Sequence, residues 1–136
     1  ATAGMFHFPT NIFVTLTGDI IVSDALNFRV QVFSPKGHFL FTFGRMGDEP
    51  GTFSRPKGVA ADSDGNIYVV DALLDNVQVF DKRGHMLMAF GEHGRRYGEF
   101  WLPTGIYIDN NDLIYVSDAS NQRVQIFKYL KEDMTK

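Results

Sequence analysis

Asp24, Asp71 and Asp118 each end a short apolar run, and an arginine follows two of them five residues on, at Arg29 and Arg123. A carboxylate and a guanidinium so spaced could form an acid–base pair, or a charge-assisted tie between two backbone segments. Recurrence decides between the two. A reaction needs one converged site, whereas a constellation repeated along the chain serves architecture. These five residues are therefore assigned a structural role, holding the turn after each acid by hydrogen bonds and an ion pair. A second set has different chemistry. Arg45, His93, Arg95, Arg96, Tyr97 and Trp101 fall in two long glycine-bearing segments, 44–56 and 91–103, together with Met46, Asp48 and Glu49. Arg and aromatic side chains dominate recognition hot spots, and binding residues gather on loops held by a rigid scaffold. This set is the candidate partner-binding surface.

Catalytic and metal chemistry find no comparable support. The four histidines are His7, His38, His85 and His93, and His38 and His85 each follow a turn glycine. A catalytic zinc site needs about three converging protein ligands. The stretches 11–14, 58–61 and 105–108, expected to be the inner strands, contain no His, Glu or Cys. The turn Asp62-Ser-Asp64-Gly-Asn66 lacks the ligand order and distal Glu of a calcium loop. No Gly-x-Ser-x-Gly elbow or phosphate-cradling glycine loop occurs. The expectation is no catalytic residue, no metal and no cofactor.

The elements that position these residues follow from an internal repeat. The acids at 24, 71 and 118 are spaced by 47 residues, and the same step relates Pro9, Pro56 and Pro103 as well as Phe6, Phe53 and Phe100. Within each unit the apolar period is two, which argues strands. The middle unit divides into strands at 58–61, 67–70, 76–80 and 86–90, with glycine-bearing turns at 62–66 and 81–84. Four short antiparallel strands in a repeat of this length make a propeller blade. Helical repeats are excluded because Gly, β-branched and aromatic residues fall where long helices would run. The expected fold is all-β, with three four-stranded blades at about 6–50, 53–97 and 100–136 in one propeller segment. The stretch 131–136 is too polar for a good fourth strand, so another segment is expected to supply it.

The pattern Phe-x-x-Pro-x-Gly-Val-Ala-x-Asp-x-x-Gly-Asn-Ile-Tyr-Val-Val-Asp-Ala at 53–72, and Asn-Phe-Arg-Val-Gln-Val-Phe at 27–33, resemble the NHL repeat. The resemblance covers essentially the whole chain. It implies a six-bladed propeller used for ligand or partner binding, a minority of the family being metal-dependent lyases or hydrolase relatives. An enzyme of that kind would need its metal ligands completed by other blades. Leu74 and Asn76 depart from the motif's Asn and Arg, and Asn11 and Thr17-Gly18-Asp19 from its Gly and Asp-Gly-Asn.

Three blades are half of such a ring, and closed propellers have about four to eight. Each end blade would leave an apolar flank in water, which marks an interface. The flanks are expected to close either on a second copy, giving a homodimeric ring, or on further blades of a longer chain. Composition narrows the partner. The 136 residues carry a formal net charge of −3, whereas sequence-independent nucleic-acid binding draws on a basic excess. No apolar run approaches the roughly 20 residues of a membrane helix. With neither an initiator Met nor a signal-like segment, the chain is expected to be a mature product or an excised piece. Its style resembles bacterial members of the family, many of them exported, so an extracytoplasmic compartment is favoured. The expected function is a non-catalytic scaffold that binds a protein, peptide or carbohydrate on the long-loop face.

Overall fold

Alternating apolar residues stand on opposite faces of a strand, and here both faces are apolar, so the sheets stack. The computed structural model describes residues 2–131. Its strands are β1 (Pro9–Val14), β2 (Ile20–Asp24), β3 (Arg29–Phe33), β4 (Phe39–Phe43), β5 (Pro56–Ala61), β6 (Ile67–Asp71), β7 (Asn76–Phe80), β8 (Met86–Phe90), β9 (Pro103–Ile108), β10 (Leu113–Asp118) and β11 (Arg123–Lys128). They form three antiparallel meanders, β1–β4, β5–β8 and β9–β11. The four strands expected of the middle blade are all found, and the inner strands of all three sheets start two residues earlier than expected, at the repeated prolines. Single 3-10 turns, Ala25–Asn27 and Ala119–Asn121, link the second and third strands of the outer two sheets where loops were expected. A fourth strand for the last sheet would fall at 132–136, outside the described residues.

Two cores hold the sheets together, one in each gap. Ile21, Val30 and Val32 of the first sheet meet Val59, Ile67, Val69 and Phe80 of the second. On its other face the second sheet offers Ala60, Tyr68, Val70, Val77 and Val79 to Ile108, Ile114 and Val116. A phenylalanine triad recurs at each interface: one ring from the preceding outer strand, one from the entering loop and one from the third strand. Phe43 and Phe80 are 4.5 Å apart and Phe53 and Phe80 5.7 Å. Phe90 and Phe127 are 5.0 Å apart and Phe100 and Phe127 5.9 Å. The glycines beginning each long loop make room for these rings. Gly44 and Gly91 have φ of 106° and 95°, and a Cβ on either would collide with Phe53 or Phe100.

The two flanks repeat these faces without a neighbouring sheet among the described residues. Phe6, one repeat before the fully buried Phe53, is 41% exposed; Ile12 and Val14, one repeat before buried Val59 and Ala61, are 66% and 60% exposed. Val124 and Ile126, one repeat after buried Val77 and Val79, are each 60% exposed. Repeat-matched truncations therefore separate the two environments. Phe53→Ala is expected to cost about 3–5 kcal/mol, and Phe6→Ala markedly less, in urea denaturation of the isolated chain kept monomeric by Val124→Lys/Ile126→Lys. Equal losses would mean that something covers the first flank in solution.

Candidate functional site

The second strand of each sheet ends on a fully buried aspartate, and the carboxylate is satisfied from two directions. Asp24 sits opposite Arg29 in the β2–β3 register. It accepts bonds from Arg29 Nε at 2.9 Å, Asn27 Nδ2 at 2.9 Å, Gln31 Nε2 at 3.3 Å and the backbone N–H of His7 at 2.7 Å. Arg29 and Gln31 also donate to the carbonyl of Met5, at 2.7 and 2.9 Å. Asp118 repeats the arrangement with Arg123, Asn121, Gln125 and the N–H of Trp101, at 2.8, 2.9, 3.2 and 2.8 Å. Asp71 lacks both motif partners, because Leu74 and Asn76 stand where the other blades have Asn and Arg. It takes the backbone N–H groups of Ser54, Arg55, Leu73 and Leu74 instead, at 2.7–3.1 Å. The substituting Asn76 leaves its buried Oδ1 without a partner among the described residues.

The clamp does more than hold the turn after the acid, because it also fixes the loop entering the inner strand. A repeated glutamine completes it, a role the sequence motif did not disclose. Oε1 of Gln31, Gln78 and Gln125 accepts from Gly4, Gly51 and Gly98, and each Nε2 donates to a carbonyl of the same loop. Desolvation pushes the carboxyl pKa of Asp24 up, but the bonds from Asn27, His7 and Arg29 outweigh it and hold it below the ordinary value. Asp118 is lowered in the same way by Trp101, Asn121 and Arg123.

On this frozen frame the third blade's entering loop displays a cluster. The Arg95 guanidinium lies over the Trp101 ring at 5.4 Å, within cation–π range, and the His93 ring meets the edge of Trp101 at 5.9 Å. Asp75, in the turn of the preceding blade, bonds His93 Nδ1 at 3.0 Å and the N–H of Leu102 at 2.8 Å. It holds this loop from below, and nothing in its spacing announced that task. Arg96 and Tyr97 are exposed on the same loop, Tyr97 at 96%. Arg45 is exposed on the neighbouring loop, and among the described residues no hydrogen bond or ring contact joins it to the cluster. His38 and His85 lie in the hairpin turns at the opposite end of the sheets, where His85 pairs with Asp81 at 3.2 Å. Asp62 caps its own hairpin, accepting from Asp64, Asn66 and Tyr68.

Blades in tandem, each with a buried acid tying down the loops of one face, define part of a β-propeller. The NHL repeat model matches residues 53–80 and 100–127, so these two segments are NHL repeats. Residues 6–33 carry the same pattern one step earlier. Among curated relatives, human E3 ubiquitin-protein ligase TRIM32 is 46% identical over 37 residues, 27% of this chain and 6% of the relative. Protein brain tumor of Drosophila melanogaster is 43% identical over 44 residues, 32% of this chain and 4% of the relative. Streptogramin B lyase superposes with a TM-score of 0.62 at 15% identity, over 87% of this chain and 39% of the lyase. A gluconolactonase of Xanthomonas campestris does so with 0.62 at 13%, over 85% and 36%. At such identities the likeness is one of fold. The chain spans a small fraction of the curated relatives and well under half of the solved propellers.

The clamp predicts a pH dependence of defined sign. A folded pKa below the ordinary 3.8 of Asp24 means stability present above that value and lost as pH falls through the folded one. Asp24→Asn is expected to cost about 1.5–3 kcal/mol at neutral pH. Its deficit against the wild type should shrink below pH 3.8, read from urea titrations across pH. A constant deficit would show that the charge of Asp24 has no part in the clamp.

Proposed function

We propose that this chain is a non-catalytic propeller segment that binds a protein, peptide or carbohydrate partner on its long-loop face, within a six-bladed ring. The observation that carries this reading is Arg95 stacked on Trp101 in a loop that Asp75 and Asp118 hold from two sides. Rigid display lowers the ordering cost of binding, and Arg and Trp are the side chains that contribute most at interfaces. Exposed Arg96, Tyr97 and Arg45 extend the surface on either side. The formal charge of −3 favours such partners over nucleic acid. Glycan and peptide arrays test the face. The variant Arg95→Ala/Arg96→Ala/Trp101→Ala should lose its array partners while its melting temperature holds. Lys36→Ala/Lys82→Ala/Arg83→Ala, at the opposite end, should keep them. Equal loss in both variants would assign binding to another surface.

Ring closure draws support from the flanks. What covers Val77 and Val79 inside the chain is the face of Phe100, Ile114 and Val116, and its repeat counterpart on the first blade is Phe6, Ile20 and Val22. The last flank of one copy therefore suits the first flank of another, and two copies of three blades (about 6–50, 53–97 and 100–136) make six. Further blades of a longer polypeptide would use the same surfaces. For the isolated chain of 15.4 kDa, light scattering at micromolar concentration is expected to give the dimer mass. Val124→Lys/Ile126→Lys should return it to the monomer. A monomeric wild type would remove closure by a second copy and leave closure by further blades.

A further inference from the structure

The two gaps between blades share one register but are bridged by different side chains at the end opposite the long loops. Between the second and third blades, Asp112 accepts the N–H and hydroxyl of Ser63 at 2.8 and 2.6 Å. Tyr129 donates to Asp64 at 2.7 Å, and the buried Tyr68 ring places its hydroxyl 3.0 Å from Asp62. One repeat earlier those positions hold Gly65 for Asp112, Leu16 for Ser63, Lys82 for Tyr129 and Ile21 for Tyr68. Each replacement deletes a bond or a ring. The cavity of about 450 Å³ in the second gap lies against Met88, Phe90 and Phe127 on its outer side among the described residues. The gap between the first and second blades instead has a cavity of about 210 Å³ where those bonds are missing.

The floor of this cavity is apolar, formed by the buried Ile21, Val32 and Ile67, whereas its rim carries Thr15, Thr17, Asp19 and Asp64. We propose that it binds a small amphipathic amine, with a compact apolar body on the floor and an ammonium group at the rim. A ligand pocket of this type pairs an apolar lining with a few placed polar groups. The rim offers hydroxyl and carboxylate oxygens, with Lys82 as its one cation among the lining residues. Asp64 is engaged by Tyr129 at 2.7 Å and by Lys131 at 3.5 Å, so Asp19 is the carboxylate that would meet the ammonium. An ammonium brings three donors and no acceptor, which matches that inventory. All of the walls come from the first two blades, so the site is complete without ring closure. It is also separate from the loop face, and neither reading depends on the other.

Methyl NMR of the full chain tests this with three probes that share one body: phenethylamine, phenethyl alcohol and phenylacetate. Phenethylamine is expected to give saturable shifts at the Ile21, Val32 and Ile67 methyls, and to bind at least roughly fivefold more tightly than phenylacetate. Asp19→Asn should narrow that preference and leave phenethyl alcohol unchanged. Thr15→Asp/Ile21→Tyr gives this gap the side chains found at Asp62 and Tyr68 and should abolish binding without lowering the melting temperature. Asp19→Asn, in a partly exposed turn, reports independently should the double variant fail to fold. Absence of saturable shifts with all three probes, or phenylacetate binding as tightly as phenethylamine, overturns the proposal.

Discussion

A sheet that is apolar on both faces cannot rest until both are covered, and every other feature of this chain follows from that. The middle sheet shows the condition met: its first three strands are buried almost throughout. The outer sheets are built from the same residues at the same register and meet it on one side only. Each gap receives a phenylalanine triad, and each triad demands a glycine where the long loop begins. The 47-residue step is therefore a spacing of interfaces as much as of strands.

Stacking sheets this way leaves strand ends, with unpaired backbone groups, on two faces. One face is closed by burying a charge. An uncompensated buried carboxylate would be costly, so it recruits every donor within reach, and those donors belong to two different loops. Blade two shows that the carboxylate is the fixed element and its partners are replaceable. Where Arg and Asn are lost, backbone N–H groups turn toward Asp71 and the loop geometry survives. The shared geometry of the loops thus follows from satisfying an acid, and the bonds that do so hold the pKa of Asp24 and Asp118 below the ordinary value.

Much of this was legible in the residues. Strand positions followed from period-two patterning and turn glycines, and the architectural role of Asp24, Asp71 and Asp118 followed from recurrence. What escaped notice depends on contacts between blades. Asp75 looks like any turn residue until the next blade places His93 and Leu102 against it. Gln78 reads as a polar residue inside an apolar strand until Gly51 and Thr52 fold back onto it. Arg45 and Arg95 were grouped because both lie in long loops, yet they stand in successive loops and only Arg95 has an aromatic ring beneath it.

Recurrence marks architecture, and its failure marks freedom to do something else. The cluster of Asp75, His93, Arg95 and Trp101 maps one repeat earlier onto Phe28, Met46, Asp48 and Ser54, side chains that cannot build a stacked cation or its acid support. The backbone of the two loops is nonetheless held by the same bonds: Gly47 and Gly94 reach the carbonyls of Phe53 and Phe100 in identical fashion. Loop geometry is therefore common property, while the displayed chemistry is particular to one blade. The cavity between the first two blades obeys the same logic at the other end. There Asp112 and Tyr129 make bonds across the second gap, and the first gap lacks both residues. Neither departure improves the packing of its own blade. Both proposals therefore rest on positions where the repeats disagree, the positions that the shared architecture leaves unassigned.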